Sequence, residues 1–394
     1  MHRRHFVQNL AVAGLSVGAG RLFAAGINQP RFLIVFLRGG YDAANLLVPI
    51  SSSFYYESRP NIAISRPSSE LDSALPLNSD WGLHPALRET VYPLFKTGEV
   101  AFVPFAGTPD TSRSHFETQD SIELGQPLDQ SKNYRSGFLN RLTSMLAGAD
   151  AMSFTDQLPL IFQGATSVAN TTLKSVAKPS IDNRQSGIIA AMYGKTAMSA
   201  SVSEGFTVRK EVMQEMKIEM DVADRNAVSA KGFELEARRI ARMMKERYSI
   251  GFVDVGGWDT HVNQGASSGY LAGRFDELGR GLLGFSQEMG AMWRNTTVVV
   301  LSEFGRTFRQ NGNRGTDHGH GTVYWVLGGS VRGAKIAGDQ VRVEQSTLFQ
   351  NRDFPVLNDY RAVLAGLFAR QYGLNPAQIE QIFAGVKSKD IGLL

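Results

Sequence analysis

The sequence predicts an α/β protein, a three-layer α/β/α sandwich with a largely parallel central sheet. Three observations carry that expectation. Phe32-Leu33-Ile34-Val35-Phe36-Leu37 is an unbroken apolar run of the kind buried on both faces in a parallel sheet. Two β-branched runs, 250–255 and 296–301, are separated by a helix-length segment over 275–293. Strand, helix, strand at that spacing implies parallel strands joined by a right-handed crossover. Short Gly-rich segments with Asp, Glu and His then follow the strands, where ligands bind in such sheets.

The chain of 394 residues opens on His2-Arg3-Arg4-His5-Phe6, a mildly apolar run over 10–19, and small residues at Ala24-Ala25. Paired arginines before a short Gly/Ala-rich run read as a twin-arginine signal over residues 1–25, an address for the twin-arginine export machinery. No linker divides the remainder, so 26–394 reads as one domain. Removing Arg3, Arg4 and Arg21, with no acid among those 25 residues, takes the formal charge from +4 to +1. A near-neutral chain without long basic runs has no electrostatic footprint for nucleic acid. No later stretch approaches the roughly 20 apolar residues of a spanning helix, so stable membrane insertion is not expected. The absence of cysteine excludes disulfides and thiolate metal sites.

Weaker strand candidates are 100–105 and 158–162, each with a proline suited to an edge or strand end, and 323–327. Helical composition runs over 206–248, with a break expected at 224–226, and over 275–293, where Leu278, Leu282, Leu283 and Phe285 form an apolar stripe. The Ser/Pro/Asn-rich segments 51–83 and 165–185 read as long excursions.

Five of the seven histidines lie in motifs crowded with Asp, Glu, Ser and Gly. Asp42 follows the first strand in Arg38-Gly39-Gly40-Tyr41-Asp42, placed either to bind a metal or to cap a helix. Ser112, Arg113 and Ser114 precede His115 at the start of an expected helix. A hydroxyl there, Ser112 or Ser114, is a candidate nucleophile, because helix N-termini stabilise anions. Arg113 could hold a tetrahedral anion through its planar fork. Asp259 and His261 are two apart in an extended segment, so both side chains can reach one ion. Glu303 ends the 296–301 strand. Asp317, His318 and His320 share a Gly-flanked loop in which two imidazoles and a carboxylate call for a counterpart. His84 stands alone in Gly82-Leu83-His84-Pro85 and is expected to order its loop rather than bind metal.

Taken in order, these motifs resemble the domain-of-unknown-function 1501 family. They are the twin-arginine leader, Phe-Leu-Arg-Gly-Gly-Tyr-Asp over 36–42, Leu-His-Pro-Ala-Leu over 83–87 and Ser-Arg-Ser-His-Phe over 112–116. Val-Asp-Val-Gly-Gly-Trp-Asp-Thr-His over 253–261, Leu-Ser-Glu-Phe-Gly-Arg over 301–306 and Thr-Asp-His-Gly over 316–319 complete the set. That family is grouped with the alkaline phosphatase superfamily. The resemblance implies an α/β/α sandwich and in-line transfer to a metal-activated hydroxyl. It would match Asp42 to the superfamily's first-strand Asp and 111–114 to its nucleophile turn. Asp259 and His261 would match the Asp/His pair of one metal site, with His318 or His320 as that site's later histidine. Glu303 would match the Asp of a Ser-Asp-His-Gly motif. Phe304 stands where the superfamily has a histidine ligand, so a second site would need Asp317 or a histidine of the later loop. The cysteine or serine motif usual in sulfatases does not occur in this sequence.

The expected function is an exported, metal-dependent hydrolase of phosphate or sulfate esters, acting on a small-molecule or glycan ester. The alternative is a non-catalytic cell-envelope binding or assembly protein that kept the fold and one structural metal. Mixed imidazole and carboxylate ligands favour one or two ions of zinc or manganese, with calcium or magnesium as alternatives. The sequence does not fix the oligomeric state.

Overall fold

The computed structural model describes residues 29–171, 173, 188, 191–196, 198–199, 202 and 232–394. The expected leader and the helix break at 224–226 lie outside the described residues. The strands are β1 (Arg31–Leu37), β2 (Leu47–Val48), β3 (Leu75–Pro76), β4 (Gly82–Leu83), β5 (Val100–Gly107) and β6 (Ala151–Ser153). They continue as β7 (Ala169–Asn170), β8 (Ile250–Val255), β9 (Thr296–Ser302), β10 (Thr322–Leu327), β11 (Lys335–Ile336) and β12 (Asn358–Asp359). The main sheet runs β11-β5-β10-β9-β1-β8-β6-β7, with β12 also on β5; β2, β4 and β3 form a separate small sheet.

The first apolar run is the centre of the molecule. β1 lies between β8 and β9 and is parallel to both. The two β-branched strands are therefore parallel, but they flank β1 instead of pairing with each other. Side chains alternate across β1: Leu33, Val35 and Leu37 enter one core, and Phe32, Ile34 and Phe36 the other. Helices α1 (His115–Leu124), α2 (Phe138–Met145), α3 (Phe233–Glu246), α4 (Tyr270–Met289), α5 (Tyr360–Tyr372) and α6 (Pro376–Ile382) supply the outer layers. α3 and α4 cover one face through Phe233, Ile240, Phe275 and Leu282. α2, α5 and α6 cover the other through Phe138, Leu142, Phe368 and Ile382. This is the expected three-layer α/β arrangement with a mostly parallel sheet. Of the expected α4 stripe, Leu278, Leu282 and Phe285 are buried, while Leu283 packs only partly.

Several local expectations need correction. Pro104 does not mark an edge, because β5 is bonded to β10, β11 and β12. It is tolerated in the strand because the register slips between Val103–Tyr324 and Ala106–Thr322, with Phe105 at φ 53°. The missing N–H falls at this bulge, and the Pro104 carbonyl accepts from Asn358 Nδ2 at 2.8 Å. Segment 158–162 is no strand; it closes as a 3-10 turn, Leu160–Phe162, that buries Ile161 and Phe162. The 51–83 excursion carries a helix, Ser53–Ser58, besides β3 and β4. Part of 165–185 is described, and there Ala169–Asn170 extends the sheet in parallel with β6. Among the described residues, no helix is long and apolar enough to cross a membrane.

His84 orders its loop, as expected. Its Nδ1 accepts from the Ala86 N–H at 3.1 Å, and its Nε2 lies 3.0 Å from the Ala266 carbonyl. Burial pushes the imidazole down to about 4. In the unfolded chain the group titrates near 6.5, so between these values the unfolded state binds more protons. The stabilisation from neutral His84 is full above pH 6.5 and is lost as pH falls toward 4, about 3 kcal/mol in all. Urea unfolding of His84→Gln should show a shallower loss of stability over that window than the parent chain. Parallel pH profiles would refute this account.

Candidate metal centre

Parallel strands release their following loops at one end of the sheet, and the candidate residues collect there. Asp259 follows β8 through Gly256-Gly257, and Glu303 follows β9 directly. β5 runs into the turn before α1. β10 is antiparallel to β9, so its beginning lies at this same end and delivers Asp317 and His318. Backbone bonds join the loops: Thr316 N–H to Thr260 O at 3.0 Å, Thr307 N–H to Asp317 O at 2.9 Å, and Gly319 N–H to Gly305 O at 2.8 Å.

Three groups converge tightly, His115, Asp259 and His318. His115 Nε2 lies 2.9 Å from His318 Nε2 and 3.6 Å from Asp259 Oδ2. His318 Nε2 is 3.3 Å from Asp259 Oδ1. His261 flanks this triad, its Nε2 3.2 Å from His318 Nε2 and 2.9 Å from Asp259 Oδ1. The opposite nitrogen of each ring has an acceptor. His115 Nδ1 faces Glu303 Oε1 at 2.8 Å, His318 Nδ1 the Arg113 carbonyl at 3.1 Å, and His261 Nδ1 Asp317 Oδ1 at 3.2 Å. With the Nδ1 protons donated outward, the Nε2 lone pairs of His115 and His318 and the Asp259 carboxylate point at one another, an arrangement that a cation between them would satisfy, with His261 to one side. A tetrahedral ion bonded at about 2.0–2.1 Å sets its ligand atoms about 3.3 Å apart, close to the spacing found. The donors thus fit a divalent metal.

Local sequence explains how His115 is aimed. Ser114 caps α1, accepting from the Glu117 N–H at 3.5 Å, so His115 is the first helical residue. Gly125, at φ 62°, ends that helix. Arg113 is held at φ 55°, in the left-handed region, and it is the carbonyl of this residue that meets His318. Gly39 is obligatory on β1's side: a Cβ there would stand 2.7 Å from the Asp259 backbone nitrogen.

Electrostatics sort the groups. The hydrogen bond to Glu303 raises His115, whereas burial, then the charges of His115 and Arg306, lowers His318. Burial alone would raise Asp259, but the Arg306 guanidinium, bonded to Asp259 Oδ1, outweighs it and holds this carboxyl below its usual range. Burial is likewise overcome at Glu303, which accepts from His115, Gln119 Nε2 at 2.9 Å and the Gly39 N–H at 2.8 Å. Asp317 is held low in the same way by Asn311 and His261.

Of the residues expected as ligands, Asp259, His261 and His318 meet. The other expectations are corrected. Asp42 is buried in an ion pair, its Oδ2 2.6 Å from Arg59 Nη1 and 2.6 Å from Gln264 Nε2. Glu303 and Asp317 stand behind the triad as partners of His115 and His261. His320 turns its ring onto Phe349, with centroids 4.7 Å apart, and joins no such group among the described residues. The Arg113 fork is closed on Asp353, at 3.0 and 2.7 Å, so it does not present itself to an anion. Ser112 Oγ contacts Thr118 Oγ1 at 3.3 Å, and Ser114 serves as the helix cap. The residue of the triad that sequence reasoning did not assign is His115. Its signal was there, a histidine opening a helix inside Ser-Arg-Ser-His-Phe, but the hydroxyls beside it drew the assignment.

Residues 29–383 match a family described as "Protein of unknown function (DUF1501)". The chain belongs to that family. Among curated proteins, none matches this DUF1501 chain. It is similar to a solved alkaline phosphatase superfamily protein from Vibrio parahaemolyticus, at 12% identity and a TM-score of 0.37, over 79% of this chain and 64% of that one. The chain thus spans a little under two thirds of the Vibrio protein. It is also similar to the C-terminal periplasmic domain of EcEptC from Escherichia coli in complex with Zn, at 9% identity and a TM-score of 0.37, over 77% and 74% of the two chains. For the lipoteichoic acid synthase LtaP from Listeria monocytogenes the values are 8% and 0.40, over 95% and 78%.

Two outcomes test these assignments. Glu303→Gln should weaken zinc binding about 10- to 100-fold by titration calorimetry, because the His115 tautomer is no longer fixed, while His320→Ala leaves it unchanged. Asp42→Asn should cost about 3 kcal/mol of folding stability, because the buried Arg59 loses its counter-charge, with no change in metal content. Loss of metal from Asp42→Asn at full folding would return Asp42 to the ligand set.

Proposed function

We propose that this DUF1501 protein is a metal-dependent hydrolase of phosphate or sulfate esters, exported by the twin-arginine machinery. The observation that carries the reading is the convergence of His115, His318 and Asp259, with His261 beside them, each imidazole oriented by a partner on its far nitrogen. Such a donor set suits zinc or manganese. When bound, the ion supplies Lewis acidity and eases ionisation of a nearby hydroxyl. The protein's own groups prepare for this. Arg306 fixes the Asp259 carboxylate, Glu303 and Gln119 fix His115, and the α1 N-terminus with its free N–H groups favours an anionic ester. Ser112 and Ser114 both lie within three residues of His115, and one of these hydroxyls is the proposed nucleophile. The substrate class is a small-molecule or glycan ester.

One observation favours a second reading, a binding or assembly protein of the cell envelope with a structural ion. The Arg113 fork is spent on Asp353, so an anion would lack that partner. Metal-loaded protein assayed on nitrophenyl phosphate, phosphodiester and sulfate substrates separates the two. Hydrolysis is expected, with kcat reduced about 100-fold or more by either Ser112→Ala or Ser114→Ala, whichever removes the nucleophile. A metal-bound protein inert on all three esters would leave the binding reading. Replacing Arg3 and Arg4 together by Lys should retain the protein inside the cell, and unimpaired export would refute the leader assignment.

A further inference from the structure

We infer that the Arg306 guanidinium takes the place of a second metal ion, so that the site holds a single divalent cation. The inference rests on the metal reading above and specifies its stoichiometry. Phe304 offers no donor where a second histidine would stand, and its ring packs on both His115 and His318, with centroids 4.9 and 5.2 Å away. Glu303 has its acceptor sites filled by the Gly39 N–H, His115, Gln119 and Ser302 Oγ at 2.8 Å. Asp42 spends one oxygen on Arg59 and Gln264. Phe304 and Glu303 therefore offer no free donor to a second ion, and Asp42 offers a single unpaired oxygen.

Arg306 instead supplies a buried positive charge against this carboxylate cluster. Its side chain is fully buried, bonded to Asp259 Oδ1 through Nη1 and to Thr316 Oγ1 through Nε at 3.2 Å, with the Thr316 carbonyl on Nη2. Gly39 O lies 3.5 Å from Nη1. The charges of Asp259, Asp42 and Asp317 all act on this one guanidinium. The second Asp42 oxygen is buried without a hydrogen-bond partner, and the Asp42 charge acts on Arg306. The balance of charge agrees. Asp42, Asp259, Glu303 and Asp317 bring four negative charges, and Arg59 and Arg306 return two. The remainder matches one divalent ion and is half of what two would need. A fixed guanidinium also cannot dissociate, so Asp259 stays oriented whether or not metal is present.

Equilibrium dialysis of the chelator-stripped full chain against a tenfold excess of zinc sulfate, read by elemental analysis, tests the inference. We expect a plateau of one zinc per chain, abolished in His318→Ala. Arg306→Lys keeps the charge and should also stop at one. Arg306→Gln removes it, frees Asp259 Oδ1, and should admit a second equivalent. Two ions in the parent chain would overturn the inference, as would a folded Arg306→Gln variant that still stops at one. No zinc at all would overturn both this inference and the metal-dependent reading. One zinc without ester hydrolysis would sink the hydrolase and leave the inference standing.

Discussion

His318 Nε2, 2.9 Å from His115 Nε2 and 3.2 Å from His261 Nε2 with the Asp259 carboxylate beside it, imposes the constraint on which this structure turns. Lone pairs at that separation repel unless a positive charge is shared between them, and the surroundings are built to keep the lone pairs there. Each outer nitrogen meets a different kind of acceptor: a buried carboxylate, a backbone carbonyl, and a more exposed carboxylate. The buried one is itself fixed by a backbone N–H and a glutamine amide, so the orientation of His115 is set three residues deep into the protein.

Sheet direction makes the convergence possible. β1, β8 and β9 are parallel and end together, and a wholly parallel sheet would have sent the His318 loop to the opposite end. The reversal at β10 prevents that, because its first residues start where the others finish. β5, antiparallel to β10, then runs the same way as β1 and releases the α1 turn at that end. The bulge at Pro104-Phe105 lies just before this exit, where a proline can sit without depriving the ladder of a donor.

Much of this was legible in the sequence, and the reasons for success and failure are physical. The β1 run and its neighbours declared themselves through uninterrupted apolar character, which two-sided burial demands. Asp259 and His261 were legible because a two-residue spacing in extended chain fixes relative direction. His318 and His320 have that spacing as well, yet they diverge: Gly319 presses against the Arg306 backbone, where a Cβ would come within 2.4 Å, and the local path is no regular strand. The role of Asp42 was hidden because its partner, Arg59, lies in an excursion that looked unstructured. Glu303 lies behind the triad as the partner of His115, a relation that sequence does not show because the two are far apart along the chain.

The triad comes from residues 115, 259 and 318, with His261 beside it, carried on α1, the loop after β8 and the loop before β10. No contiguous fragment of the chain contains the centre, and beyond the local Asp259–His261 pair its groups meet only when the central strands are in register. For any ion held there, occupancy and folding would be one equilibrium. An ion present at about a thousand times its dissociation constant adds about 4 kcal/mol to the stability of the whole sheet, a large share of what holds a domain together. The availability of such an ion in the surrounding fluid would then set the stability of the fold itself.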